Sequence, residues 1–372
     1  MKKYLSITIF LLIAFSIFWA VKNQDWLKLE QANIQAVTTI KNTEPHILSA
    51  PPNHPLIGHE DNILKGRAFT DPADTSSTQQ PDWTAQAIHY PERFAQADLV
   101  ITLDQQSYSL FIEDINAFAI SKNITIIVNR GTCGISARDL NNKSVDIAGF
   151  CCPPEKSDRL PELKFHTLGI AAVALLTHPS NPVNNISSTD ARKAFSGEIR
   201  RWNQLAGGQE NNRGIVIATR LHCKTRPGHW KLLINKEEFF STTAREMADI
   251  PYMLTQVNRH SVMLGYETLS MVKIENKPVK TLLIDSINPN NLQALAQGYY
   301  PFYRVYNLAT WTGQHSKPVA SELIQYLQAI IANQSNQYQM VPISELEKNG
   351  WQIKAGELVG EPVSLVPSPE SK

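Results

Sequence analysis

The stretch LGIAAVALLTHPSNPVNNISSTDARKAFSGEIRRWNQLAGG, residues 168–208, decides the fold of this chain. It opens with an apolar run, 169–177, which predicts a long buried strand. Ser187 and Asp190 follow with the spacing of a capping box, so a helix is expected to begin there. The helix should end near Gly197, with Trp202 packing shortly after it. A buried strand followed by a capped helix is the repeating unit of an α/β protein.

The same alternation of strands and helices extends to both sides of this stretch. The predicted strands are 99–101, 124–128, 145–149, 215–218 and 307–310, and the predicted helices are 110–120, 135–140, 230–240 and 319–331. This order predicts a parallel sheet with an inserted second α/β unit. Because loops at the carboxyl ends of parallel strands form the ligand crevice, the candidate binding loops are 104–109, 130–136 and 150–154.

Composition excludes several classes of protein. The chain has 372 residues, with 35 Lys and Arg against 34 Asp and Glu, and a net charge of +1. This balance argues against a nucleic-acid-binding protein, which usually carries a basic excess. Hydrophobic residues make up 42% and charged residues 19%, which argues against a mostly disordered chain. A single long apolar segment excludes a polytopic membrane protein.

The two ends of the chain differ from its middle. Lys2 and Lys3 precede an uncharged apolar run, 4–21, which predicts a signal peptide or an uncleaved signal anchor over residues 1–22. Both alternatives export the rest of the chain to the periplasm, either secreted or anchored to the inner membrane. Residues 23–95 are rich in proline and lack periodicity, which predicts a linker or stalk. Residues 351–372 are assigned as a tail, which is expected to be frayed from Gly360 onward.

Specific residues within 168–208 resemble the periplasmic phosphate-binding proteins of ABC importers. That family has an Asn-Pro turn and then a capped helix ending in Phe-x-Gly-x-Ile-x-x-Trp. The matching residues here are Asn181, Pro182, Phe195, Gly197, Ile199 and Trp202. Further matches lie at 145–148, 264–266 and 298–304, so that the resemblance covers about 97–345. It implies a type II periplasmic-binding-protein fold with two α/β lobes, a hinge and an interlobe cleft.

The resemblance also implies lobe boundaries and a function. Lobe I would comprise 97–172 and 305–350, and lobe II would comprise 173–304, with hinge motion near Ala172 and Tyr303. The expected function is capture of a phosphate-like oxyanion, without catalysis or a cofactor, for the membrane component of an ABC importer. A membrane-anchored sensor or accessory module that reuses the fold is the alternative, favoured by the apolar segment and the stalk. Cleavage after the apolar run would separate the two.

Cationic and hydroxyl side chains on the predicted cleft loops indicate an anionic ligand, because guanidinium groups bind oxyanions in bidentate fashion. Arg220 keeps the family's pattern at the end of strand 215–218, whereas the loops around it depart from that pattern. The candidate ligand-binding residues are Arg220, Thr132, Lys224, Thr225, Arg226, Arg130 and Ser107. The alternative is that these cations are solvated surface charges, and that Arg220 pairs with a carboxylate such as Glu267.

The cysteines are Cys133, Cys151, Cys152 and Cys223. All four fall on predicted cleft loops, and a disulfide between Cys133 and Cys151 or Cys152 is expected in an oxidising compartment. A thiolate metal site joined by His222 or His229, suited to copper(I) or zinc, is the alternative. A further alternative is that the cysteines are structural thiols, or that they pair in another way. A catalytic Cys223–histidine pair is disfavoured, since nothing in the sequence orders a base against the thiol.

Overall fold

Strand β4, Leu163–Thr177, is fifteen residues long and runs through both halves of the molecule. Its residues from Thr167 onward are buried without interruption, because both faces of the strand are covered. The buried strand predicted at 169–177 is therefore confirmed, and it begins earlier, at Leu163. The second long strand, β11 (Tyr303–Trp311), is buried throughout and pairs with β4 in antiparallel register.

The computed structural model describes residues 69–75, 79–80, 82–221, 229–234 and 237–362, all within one compact unit, Leu56–Lys372. The predicted export segment, 1–22, most of the predicted stalk and the end of the predicted tail lie outside the described residues. The remaining strands are β1 (Leu99–Asp104), β2 (Ile126–Gly131), β3 (Ile147–Phe150), β5 (Asn185–Ile186), β6 (Val216–Thr219), β7 (Arg245–Glu246), β8 (Met263–Thr268), β9 (Lys280–Thr281), β10 (Leu283–Ile284), β12 (Val341–Pro342), β13 (Gln352–Lys354) and β14 (Glu357–Gly360). The helices are α1 (Gln105–Lys122), α2 (Cys133–Asn141), α3 (Ser188–Ser196), α4 (Ile250–Arg259), α5 (Leu269–Glu275), α6 (Leu292–Ala296), α7 (Pro318–Asn333), α8 (Ser335–Tyr338) and α9 (Ile343–Lys348).

The sheet is mixed rather than parallel throughout. Strand β1 pairs in parallel with β2 and β3, and β6 pairs in parallel with β7 and β8. Between these two parallel groups, β11 and β4 run antiparallel to each other and to their outer neighbours, β3 and β8. The prediction of a parallel sheet is correct for each group and wrong for the sheet as a whole, because two long strands cross from one group to the other.

Each parallel group has its own hydrophobic core, which gives the two lobes. The core of lobe I includes Phe111, Phe150 and Leu323. The core of lobe II includes Trp202, Trp230 and Tyr266. The two cores meet along β4 and β11, where Ala172 pairs with Tyr303.

Helix α3 begins and ends where the sequence predicts. The Ser187 side chain accepts a hydrogen bond from the backbone N–H of Asp190 at 2.9 Å. Gly197 ends the helix with φ of +81°, a left-handed conformation that glycine adopts without strain.

Three predictions about secondary structure are wrong, one of them the loop at 130–136, where only Thr132 separates β2 from α2. Residues 230–240 do not form a continuous helix, since the structure has short 3₁₀ turns at His229–Leu232 and Glu237–Phe239. The consecutive apolar residues 232–234 are all buried, which one face of a helix cannot achieve. Residues 104–109 are not a loop, because α1 begins directly after β1.

The region assigned as a tail contains a hairpin, β13 and β14, packed against β4. Trp351 is buried and its indole N–H donates to the Ala296 carbonyl at 2.7 Å. Glu357 of β14 forms a buried ion pair with Arg159 at 2.6 Å. These contacts anchor residues up to Gly360. Among the helices of the described ranges, none combines the length and hydrophobicity needed to cross a membrane.

Candidate functional site

A buried polar group lies where α1 of lobe I meets β6 and β8 of lobe II. Its central residue is Arg220, which follows β6 directly and is almost completely buried. The Arg220 Nη1 donates to Glu267 Oε2 at 2.7 Å, and Nη2 donates to Gln105 Oε1 at 3.0 Å. The guanidinium therefore bridges the lobes, because Glu267 belongs to lobe II and Gln105 to lobe I.

Tyr266 holds the backbone of Arg220. The Arg220 N–H donates to the Tyr266 hydroxyl oxygen at 3.1 Å, and that hydroxyl donates to the Arg220 carbonyl at 3.0 Å. Burial raises the pKa of Tyr266 to about 12, so the phenol stays protonated and keeps its donor. The position of Arg220 at the end of β6 is thus fixed by its neighbour strand.

Glu267 of β8 accepts hydrogen bonds from three residues. Besides Arg220, it accepts from the Gln106 side-chain amide at 2.6 Å and from the Thr268 N–H at 2.8 Å. Arg304 of β11 places its Nη2 at 3.8 Å from Glu267 Oε1. Two buried guanidinium groups therefore share one buried carboxylate.

Each of these arginines retains a donor. The Nε atoms of Arg220 and Arg304 are buried and have no hydrogen-bond partner among the described residues. An unpaired buried donor of a charged group is costly, so a buried site with such donors favours a further acceptor. The side-chain charges of this group, two guanidiniums against the Glu267 carboxylate, likewise favour an anion.

The N-terminus of α1 is already capped. The Asp104 carboxylate accepts from the backbone N–H of Gln106 at 3.0 Å and of Ser107 at 3.3 Å. The Ser107 hydroxyl also donates to Asp104. A negative side chain thus takes the place in which a helix N-terminus would hold an anion.

The structure disperses the other predicted ligand residues. The Thr132 hydroxyl caps α2 by accepting from the Ile135 N–H at 3.2 Å. Arg130 is exposed, with its guanidinium 5.8 Å from the centre of the Tyr108 ring, and it does not join the buried group. Lys224, Thr225 and Arg226 lie outside the described residues.

Three of the predicted cysteines converge next to this group. Cys133 begins α2, Cys151 and Cys152 follow β3, and their Sγ atoms all lie within 4.8 Å of one another. The Cys133 and Cys151 sulfurs are 3.3 Å apart, far beyond a disulfide length of about 2.05 Å, so the disulfide predicted from Cys133 is not formed in the structure. The adjacent loops bring the thiols into contact as expected, but not into bonding distance. Cys223 and His222 lie outside the described residues, as does the side chain of His229.

Arg304 joins the cysteines to the buried polar group around Arg220. Its Nη1 lies 2.9 Å from Cys151 Sγ while its Nη2 faces Glu267. Burial alone lowers the pKa of Arg304, but the charges of Cys151 and Glu267 raise that pKa well above its ordinary value. The guanidinium is therefore positive, and it favours the thiolate form of Cys151.

Sequence reasoning identified Arg220, and the structure shows the pairing with Glu267 that was the alternative to a ligand role. It missed Arg304, Gln105 and Gln106. Arg304 is the last residue of the 298–304 segment that resembles the phosphate-binding family, but the resemblance did not predict what it binds. Gln105 and Gln106 replace the small residues usual in that family's first loop. This departure was the one feature of the sequence that could have indicated their role in the site.

A family model described as a PBP superfamily domain matches residues 89–329 of this chain. The "Phosphate-binding protein PstS" of Bacillus subtilis (strain 168) is 22% identical over 215 residues, which cover 55% of this chain and 66% of that protein. The chain thus matches just under two thirds of that relative's length.

Two solved structures share the fold. An ABC-type phosphate transport receptor from Vibrio cholerae aligns with a TM-score of 0.52 and 18% identity, covering 69% of this chain and 100% of the other. A phosphate ABC transporter substrate-binding protein from Clostridium perfringens, solved with bound phosphate, aligns with a TM-score of 0.54 and 18% identity, covering 67% and 97%. The two-lobed fold predicted from the sequence is confirmed.

Proposed function

The chain belongs to the PBP superfamily, and we propose from this premise that it is an extracytoplasmic solute-binding protein that captures a phosphate-like oxyanion between its two lobes. It acts as a binding protein and not as an enzyme, in keeping with the receptors that share its fold. Its partner would be the membrane component of an ABC importer. The two lysines and the apolar run at its N-terminus support export.

The observation that carries this proposal is the buried Arg220 at the junction of the lobes. It stands at the carboxyl end of β6, where an α/β lobe presents its ligand groups. Its Nε–H has no partner within the described part of the chain, and its Nη2 contacts Gln105 of the opposite lobe. An oxyanion placed between Arg220 and α1 would contact both lobes at once, as the ligand of a closing cleft must.

Charge supports an anionic ligand over a neutral or cationic one. Arg220 and Arg304 share Glu267, and their Nε–H donors have no partner among the described residues, so an added anion would gain hydrogen bonds there. A cation in the same place would face two buried positive groups. Of the other candidates, Arg130 does not join the buried group and the Thr132 hydroxyl caps α2. Lys224, Thr225 and Arg226, which follow Arg220 closely in the sequence, stay proposed ligand residues.

Ser107 would contribute in a different way. Its hydroxyl and its N–H are both bound to Asp104, so it donates to a ligand only if Asp104 gives up that contact. We therefore assign Arg220 the main contribution and Ser107 a secondary one.

Isothermal titration calorimetry with phosphate, sulfate, nitrate and a dicarboxylate tests the proposal. Charged hydrogen bonds contribute roughly 1.5–3 kcal/mol each, so Arg220→Met should weaken oxyanion binding by about 10- to 100-fold or more. Arg220→Lys should retain part of the affinity, because lysine lacks the planar fork of donors.

Arg159→Met is the matched control, since it breaks a buried arginine–glutamate pair of similar length that shares no residue with the group around Arg220. The control should bind like wild type. Unchanged affinity in Arg220→Met, beside a lowered melting temperature, would reduce Arg220 to a structural residue and contradict the proposal.

A further inference from the structure

Three cysteine sulfurs form a compact, buried cluster at the carboxyl ends of β2 and β3. Cys133, Cys151 and Cys152 are exposed by only 2%, 6% and 1%. The first turn of α2 supplies Cys133, the segment after β3 supplies Cys151 and Cys152, and the three Sγ atoms lie within 4.8 Å of one another. We propose that these three thiols bind one thiophilic metal ion, copper(I) or zinc(II), as thiolates.

The distances suit a single ion at the centre of the cluster. Metal–thiolate bonds of about 2.3 Å place sulfurs about 3.8–4.0 Å apart in tetrahedral or trigonal coordination. The Cys133 and Cys151 sulfurs are 3.3 Å apart, about 0.5 Å closer than that value, and no pair of the three sulfurs is more than 4.8 Å apart. Rotation of the side chains, without backbone rearrangement, would bring all three sulfurs to one ion.

The chemistry of the donors selects a soft metal. Within the described ranges, no carboxylate or imidazole joins the three sulfurs. Sulfur-only sites favour copper(I) and zinc(II) over magnesium, calcium or manganese, which prefer oxygen. Each thiol that binds gives up its proton to solvent, so that the ion exchanges for protons at the sulfurs.

Arg304 supplies the compensating charge outside the ligand shell. Its Nη1 is 2.9 Å from Cys151 Sγ, which is the geometry of a charge-assisted hydrogen bond to a thiolate. Three thiolates with copper(I) carry a charge of −2, and with zinc(II) a charge of −1. The guanidinium reduces these to −1 and zero, which makes burial of the loaded site feasible.

Anaerobic titration of the reduced full chain, solubilised in detergent and free of phosphate, tests this site. Copper(I) and zinc(II) are titrated in separate arms against a competing chelator. We expect one ion per chain in at least one arm, and a loss of affinity of about 100-fold or more in each of Cys133→Ser, Cys151→Ser and Cys152→Ser. Arg304→Lys keeps the positive charge, so its affinity for the metal should fall by less than that of the cysteine variants.

Cys223→Ser is the matched control, because it removes the one cysteine of the chain that the proposed site does not use. It should still bind one ion. Binding that survives all three cluster substitutions and disappears in Cys223→Ser would overturn the assignment, as would the absence of stoichiometric binding in both arms.

X-ray absorption on the metal-loaded Cys223→Ser chain keeps the proposal testable if the cluster variants fail to fold. It should show three sulfur neighbours at about 2.3 Å. A shell of nitrogen and oxygen, or peptide mapping of protein from its native compartment that shows a Cys133–Cys151 disulfide, would refute the metal site. Oxyanion binding is measured separately, so failure of one proposal leaves the other standing.

Discussion

Replacing Glu267 with glutamine should destabilise the protein more than replacing Arg220 with methionine, although the two residues form one ion pair. Their side chains are 1% and 5% exposed and 2.7 Å apart. Breaking such a buried pair from one side costs about 3–5 kcal/mol. The two changes differ in what they leave behind.

Arg220→Met leaves Glu267 with the Gln106 amide, the Thr268 N–H and Arg304 at 3.8 Å. Its cost should therefore lie at or below about 3 kcal/mol. Glu267→Gln leaves two buried guanidiniums without a carboxylate among the described residues, and its cost should reach about 5 kcal/mol. At roughly 2–4 °C per kcal/mol, the melting temperatures should fall by about 6–12 °C and 10–20 °C respectively.

Differential scanning calorimetry and urea unfolding measure both variants against wild type. Phosphate should recover more of the lost stability in Glu267→Gln than in Arg220→Met, since an anion would neutralise the guanidiniums left behind. If Arg220→Met costs as much as Glu267→Gln or more, the charge count at this site is wrong. Arg159→Met is again the control, because its loss of stability should not respond to phosphate.

Three further results are expected. Burial lowers the pKa of His166 from 6.5 to about 4, so the unfolded chain takes up the proton first as the pH falls. The free energy of unfolding should therefore drop by about 2–3 kcal/mol between pH 6.5 and pH 4.5. Urea unfolding at the two pH values should show this drop in wild type and not in His166→Gln, and an equal drop in both chains would contradict the reasoning. Trp351→Ala should cost about 3–5 kcal/mol by emptying a buried site, where a frayed tail would give no effect in thermal melts. Saturating oxyanion should reduce the radius of gyration in small-angle scattering by hinge motion where β4 and β11 cross, near Ala172 and Tyr303, and an unchanged radius with ligand bound would count against closure.

The order of strands and helices could be predicted from the sequence because each element carries a local signal. The apolar run of β4 and the Ser187 cap of α3 are examples, and both are where expected. The failure at residues 230–240 has a physical cause, since a run of consecutive apolar residues fits a helix or an irregular buried turn equally well. The crossing of β4 and β11 depends on long-range pairing, which no local pattern reports.

The candidate site could be predicted only in part for the same reason. Arg220 was found because it ends a strand, which is a local feature. Arg304 reaches the site from the start of β11, where the role of a buried arginine becomes clear only when its partners are known. The proximity of Cys133 and Cys151 could be predicted because their loops follow neighbouring strands. Whether the sulfurs form a disulfide or a 3.3 Å contact depends on side-chain geometry, which the sequence does not report.

Equilibrium dialysis of the full chain against radiolabelled phosphate tests the central claim most directly. We predict one phosphate per chain, displaced by unlabelled oxyanions of similar shape, with affinity reduced by about 10- to 100-fold or more in Arg220→Met and unchanged in Arg159→Met. A folded wild-type chain that retains neither phosphate nor any competing oxyanion, or an Arg220→Met chain that retains phosphate as well as wild type does, would contradict the account.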